Sequence, residues 1–217
     1  MKLVTTLITS VTFALLSFTV HANQLSAGYE LESQWIQALQ ESDTDKRVAE
    51  LERVLEEATQ ALIAAPDDVE LLIVKANSNL EIANALNSVK SLGYLKEGKK
   101  DLEKAIELSP MALDGMAEAS LASALYWAPG WPLSYGDKKE AIELFDEALT
   151  RNPDSLELLT QYGYIMSLNG EGDLGKARSL FESALQQIEA TEQQGRTVFA
   201  QIRKKDILSA LESIENQ

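Results

Sequence analysis

The chain has 217 residues, a net charge of −15, one histidine (His21) and no cysteine. The missing thiol excludes disulfides, iron–sulfur clusters, c-type haem attachment and a cysteine-linked lipid anchor. The acidic balance repels nucleic-acid phosphate and anionic lipid, so neither is an expected partner.

Residues 1–22 read as a signal peptide. Lys2 supplies the positive start, and Leu3 to Val20 is an apolar run broken only by Ser and Thr. Val20 and Ala22 place small residues at the −3 and −1 positions of a cleavage site. Removal of this segment takes His21 with it, which leaves no imidazole for a catalytic triad or a zinc site. No other apolar run reaches the ~18 residues of a membrane span. The expected product is soluble and periplasmic, without membrane insertion.

Nine helices are expected after the leader, over 28–41, 45–64, 68–90, 95–108, 112–127, 137–151, 155–168, 173–188 and 195–215. Apolar residues recur at helical spacing, as in Leu51, Val54, Leu55, Ala58 and Leu62, or Ala141, Leu144, Phe145 and Ala148. Asp67 with Glu70, Asp137 with Glu140, and Asp154 with Glu157 read as capping boxes. No stretch alternates with period two, so no sheet is expected.

The chain repeats. Ala61 to Pro66, Ala105 to Pro110 and Ala148 to Pro153 are equivalent segments, spaced by 44 and 43 residues, and Ala184 marks a fourth copy. Periods in this range mean stacked helical pairs. In the last copy Gly163 is a small residue inside a first helix, and Ala177, Phe181 and Ala184 follow along a second. Ser120, Ala141, Phe145, Ala148 and Pro153 repeat the set, as do Ala76, Leu102, Ala105 and Pro110 with Gly98 in place of an Ala. Ala58, Ala61 and Pro66 keep a degenerate version. These positions resemble the tetratricopeptide repeat family over about residues 30–190. The gaps within pairs exceed the family's usual spacing, and residues 128–139 look similar to a loop of secreted bacterial repeat proteins. The architecture also resembles the T-component of periplasmic TRAP-type transporters, which is often lipid-anchored.

The resemblance implies an all-α fold, a right-handed superhelical array of antiparallel helix pairs. It would span 23–192 in about four units, with a capping helix over 193–217. It also implies a concave groove lined by first helices. Carried over by position, that groove holds Ile73, Asn77, Leu80 and Glu81, then Ala117, Leu121 and Ala124, then Glu157, Thr160, Tyr164 and Ser167. None is Lys or Arg, so an acidic tail does not suit it. An extended or helical segment with apolar and basic side chains does.

The segment Tyr126 to Tyr135 contains Trp127, Trp131 and two prolines outside the repeat-ending set. Its aromatics either plug the gap between helical pairs or anchor a partner. Exposure of a Trp face distinguishes the two. Lys96, Lys99, Lys100 and Lys104 interleave with acids and read as a salt-bridged face. In the last helix, Val198, Ile202, Leu208 and Leu211 are expected to seal the final repeat. Asn169 to Asp173 lacks the pattern of a calcium loop and reads as a turn. No catalytic constellation, cofactor site or metal site is apparent. The expected function is therefore that of a non-enzymatic exported scaffold for a protein or peptide. The candidate contacts are Asn77, Glu81, Leu121, Trp127, Trp131, Tyr135, Glu157 and Tyr164. The alternative is a carrier of small apolar ligands associated with a TRAP-type transporter.

Overall fold

The computed structural model describes residues 26–86, 88–168 and 172–216. The expected signal peptide lies outside them, as does most of the 169–173 turn. Ten α-helices and one short 3-10 helix make up the described chain, with no strand among those residues. They are α1 (Ala27–Ala38), α2 (Thr44–Ala64), α3 (Val69–Leu86), α4 (Ser91–Leu108), α5 (Met116–Trp127), α6 (Lys138–Arg151), α7 (Leu156–Met166), α8 (Leu174–Gln186), α9 (Ile188–Gln193) and α10 (Thr197–Glu215). The first eight form four hairpins: α1 with α2, α3 with α4, α5 with α6, and α7 with α8. Each hairpin stacks on the next, through α2 on α3, α4 on α5 and α5 on α7. This is the architecture of a tetratricopeptide-like α-solenoid.

The repeat positions are the packing positions. Ala141, Phe145 and Ala148 of α6, and Ala177, Phe181 and Ala184 of α8, are fully buried. Each buried Phe contributes about 1.5–3 kcal/mol of transfer free energy. The Phe145 ring stacks on Tyr162 of α7, with centroids 4.8 Å apart. Phe181 fills the space beside Gly163, where an added Cβ would lie 2.6 Å from a ring carbon. Gly98 is small for the same reason, because a Cβ there would meet Leu80 at 2.9 Å.

The helix starts follow the expected chemistry with small displacements. Asp137 caps α6 by accepting from the backbone N–H groups of Lys139 and Glu140. At the other two starts the cap is one residue later than expected. Asp68, not Asp67, accepts from Leu71 N–H, and Ser155, not Asp154, accepts from Leu158 N–H.

The expected helix over 112–127 is broken. Residues Ala112–Gly115 form the 3-10 helix, and Leu113, Asp114 and Gly115 all have positive φ, at 46°, 61° and 77°. Tertiary bonds hold this left-handed turn. The Asp114 carboxylate accepts from Asn152 Nδ2 at 3.0 Å and from Leu156 N–H at 2.9 Å, and its carbonyl accepts from Ser155 Oγ. Asp114 therefore serves as a second acceptor at the start of α7. Burial pushes its carboxyl above the ordinary range, and the hydrogen bonds from Asn152 and Leu156 offset part of that rise.

Two further departures lie at the C-terminal end. The short helix α9 falls mostly between the expected helices over 173–188 and 195–215. Helix α10 contacts α7, α8 and α9, and it also reaches back to α1. Its buried residues are Phe199, Ala200, Arg203, Ile207 and Ile214, with Arg196 just before it. Val198 and Leu208, expected to face inward, are exposed. The buried face contains arginines because each meets a carboxylate of a first helix.

Candidate interaction groove

The first helices face a concave groove of about 550 Å³. Helix α3 supplies Asn77, Leu80, Glu81 and Asn84, and α5 supplies Ser120, Ser123, Ala124 and Trp127. The α5 set is the α3 set moved 43 residues along the chain. The sequence register moved it by 44, and one residue turns a helix face by about 100°. Leu121 consequently leaves the groove. It lines a second, smaller depression with Lys99 and Glu143, on the side of α4 and α6. The buried small residue of α5 is Ala119, whereas Ser120 faces the groove.

Helix α7 contributes Glu157 and Gln161, and α1 contributes Trp35. Thr160 and Ile73, expected in the groove, are fully buried. Tyr164 stands beside α8 and α10. Its ring meets Phe181 edge-on at 5.2 Å, and its hydroxyl pKa is pushed up to about 12, mainly by burial and then by the Asp206 charge. Of the eight candidate residues, Asn77, Glu81, Glu157 and Trp127 line the groove together, and Leu121, Trp131, Tyr135 and Tyr164 do not.

Cations enter this face from the end of the chain, which the first-helix positions alone did not reveal. Arg203 of α10 donates two hydrogen bonds to Glu157, at 2.8 and 2.7 Å. Arg196 donates from Nε to both oxygens of Glu32 on α1, at 3.1 and 3.0 Å, and again from Nη2. Both guanidinium groups lie over the Phe199 ring, at 4.2 Å for Arg196 and 5.3 Å for Arg203. Burial lowers the Arg203 pKa, but the charge and hydrogen bonds of Glu157 more than offset that, leaving it above the ordinary value. A chain of hydrogen bonds continues from Glu157 through Gln161 to Ser123, joining α10, α7 and α5.

The α3 side receives no such cation. Glu81, partly buried, has no cation within 4 Å among the described residues. Loss of hydration pushes its carboxyl above the ordinary range. Arg203 and Arg47 pull it back from a distance, and Glu157 adds to the rise. One turn earlier, the Nδ2 of Asn77 is buried and makes no hydrogen bond, and the same holds for Trp35 Nε1.

The aromatic loop divides by exposure. Tyr126 is buried, and Tyr135 is half-buried, with its hydroxyl donating to the Leu95 carbonyl at 3.2 Å. Those two rings plug the gap between pairs. Trp127 and Trp131 do not: they are 62% and 89% exposed, and Leu133 is 69% exposed. Backbone bonds hold the loop, from Gly136 N–H to Pro129 O and from Asp137 N–H to Leu125 O, both at 2.9 Å. The Trp131–Pro132 peptide is cis.

Three lysines of the α4 stripe form surface pairs: Lys99 with Glu103, Lys100 with Glu97, and Lys104 with Asp67. No helix among the described residues is long and apolar enough to cross a membrane. Among those residues, no three His, Cys, Asp or Glu side chains gather as a metal site.

No curated protein matches the sequence. A sequence model of the tetratricopeptide repeat matches residues 84–110, the segment running from the end of α3 through α4 to the closing Pro110. Repeats of that family are in general protein-interaction elements rather than catalysts. The match and the repeat packing around Gly98, Leu102 and Ala105 together support the tetratricopeptide repeat family for this chain.

Proposed function

We propose that the protein is an exported scaffold that holds a protein or peptide segment in its concave groove, with the Trp127–Tyr135 loop as a second contact. The observation that carries this reading is the exposure of Trp127 and Trp131 on a hydrogen-bonded loop at the groove's rim. Exposed aromatics on an already ordered backbone are interface anchors, because little loop freedom remains to be lost on contact. The occupant carries apolar and basic side chains, which suits a wall containing Leu80, Glu81 and Trp127. The alternative, a carrier of small apolar ligands, requires a closed apolar cavity behind the loop. The groove beside the loop is open to solvent and includes Asn77, Asn84, Ser123 and Gln161. The export element of the reading rests on residues 1–22.

A photo-crosslinking amino acid at Trp131 or Ser123, used in living cells, tests the reading. Discrete protein adducts are expected from both sites and not from Thr59 on α2. Absence of adducts from both positions removes the proposal. Mass spectrometry of the amino terminus in an envelope fraction tests export. A chain beginning at Asn23 is expected, and an intact leader on cytosolic protein ends that part.

A further inference from the structure

Of three first-helix carboxylates, Glu157 of α7 and Glu81 of α3 line the groove, and Glu32 of α1 is buried outside its lining. Two are already answered in the same way. Each receives a guanidinium from the α10 region, in forked hydrogen bonds, and each guanidinium lies against an aromatic ring. The third has no cation within 4 Å among the described residues. Glu81 shares its groove with Trp127, most of which is exposed. A second feature of the site points outward independently. Asn77, only 3% exposed, stands one helical turn before Glu81 and lines the same groove, and its Nδ2 has no acceptor. Buried amide donors are seldom left unmade, because the cost of lost hydration is not returned.

We propose that Glu81 anchors an arginine side chain of the groove's occupant, with Asn77 donating to a backbone carbonyl of the same segment and Trp127 covering the guanidinium. This deepens the scaffold reading and rests on it. Arginine is preferred to lysine for two physical reasons. Its planar fork matches a carboxylate in two parallel bonds, and it stacks on an indole face with little loss of hydration. The protein uses that pairing twice in its own closure, with Glu32 and Glu157.

The test uses a small probe, N-acetyl-L-arginine N-methylamide, which carries one guanidinium and two amide carbonyls. Titration into the full chain is followed by the indole ¹⁵N–H signals, assigned with Trp127→Phe. A saturable shift of the Trp127 signal is expected. Glu81→Gln should weaken it by about tenfold, the factor that a charge-assisted hydrogen bond supplies. Glu103→Gln on α4 should leave it unchanged. The lysine analogue should bind more weakly, and the citrulline analogue, equal in shape but uncharged, should not saturate. Equal binding of the citrulline analogue, or no loss in Glu81→Gln, overturns the proposal. A Glu81-dependent dimer without probe binding also overturns it, since a second copy then supplies the group. Failure of this proposal is separable from failure of the scaffold reading. Adducts at Trp131 that persist in Glu81→Gln, with no probe binding, remove the arginine anchor and leave the scaffold. Probe binding without any adduct does the reverse.

Discussion

On the side that α10 closes, Glu32 and Glu157 are buried and each is matched by a forked guanidinium from the C-terminal region. On the other side, Glu81 stands partly desolvated without a cation, beside an amide donor that makes no bond. The helices are of the same kind and the carboxylates project from comparable first-helix faces. What differs is whether α10 reaches them. It contacts α1 and α7, and its cations leave α3 and α5 open. The closed side spends its carboxylates on ion pairs that hold the fold, although Arg196 Nη1 and Trp35 Nε1 make no hydrogen bond. The open side holds polar groups in reserve, at some cost to stability, as binding surfaces do.

The comparison breaks first where the closed side is cut. Arg196→Ala leaves Glu32 buried and unpaired, and should cost about 3–5 kcal/mol in urea denaturation. A loss below about 1 kcal/mol would mean that the pair holds nothing. Replacing both partners with Leu and Met should cost far less, because the penalty lies in the stranded charge and not in the absence of attraction. Gly163→Ala comes next. The new methyl meets the Phe181 ring, and overpacking should cost about 1–3 kcal/mol by the same measurement.

The open side should respond with the opposite sign. Glu81→Gln removes a charge that folding dehydrates, and should raise Tm by about 1–2 °C. The pH dependence follows from the same shift. The folded carboxyl holds its proton to higher pH than the unfolded one, so the Glu81 contribution to stability falls as pH rises from the ordinary glutamate value, about 4.3, toward the raised one. Arg203, Arg47 and Glu157 are the charges facing it, and the first two limit the fall. Denaturation curves across that window should show a smaller fall for Glu81→Gln, and parallel slopes would contradict the assignment. The smallest effect belongs to Trp131→Ala, within about 0.5 kcal/mol in stability, because an 89% exposed ring holds little of the fold. A larger change would show that the loop supports the array rather than serving a partner.

The paired helices and their packing were legible because the signal is local. Ala141, Phe145 and Ala148 recur at helical spacing and return in α8, and the cap at Asp137 sits directly before its helix. The break at Leu113 was not legible. Residues 112–127 read as one amphipathic run, and the left-handed turn exists because Asp114 meets Asn152, Ser155 and Leu156 some 40 residues later. A one-residue error in the α5 register followed, exchanging Leu121 for Ser120. The groove was partly legible: Asn77, Glu81, Ala124 and Glu157 were found by position, while Trp35 was missed because α1 carries no repeat motif. The buried face of α10 was misread for a physical reason. Arginine counts as outward until its partner is known, and Glu32 lies 164 residues from Arg196.

That separation also decides how the molecule comes apart. A linear stack of repeats behaves as a one-dimensional chain of neighbours, in which either end can fray without the middle. Here the contact of α10 with α1 joins the two ends into a loop. An end that opens must break the Glu32–Arg196 link, which belongs equally to the other end. Hydrogen exchange should therefore show α1 and α10 opening with a shared free energy. In Arg196→Ala, the two helices should exchange independently, each at the rate of an ordinary terminal repeat.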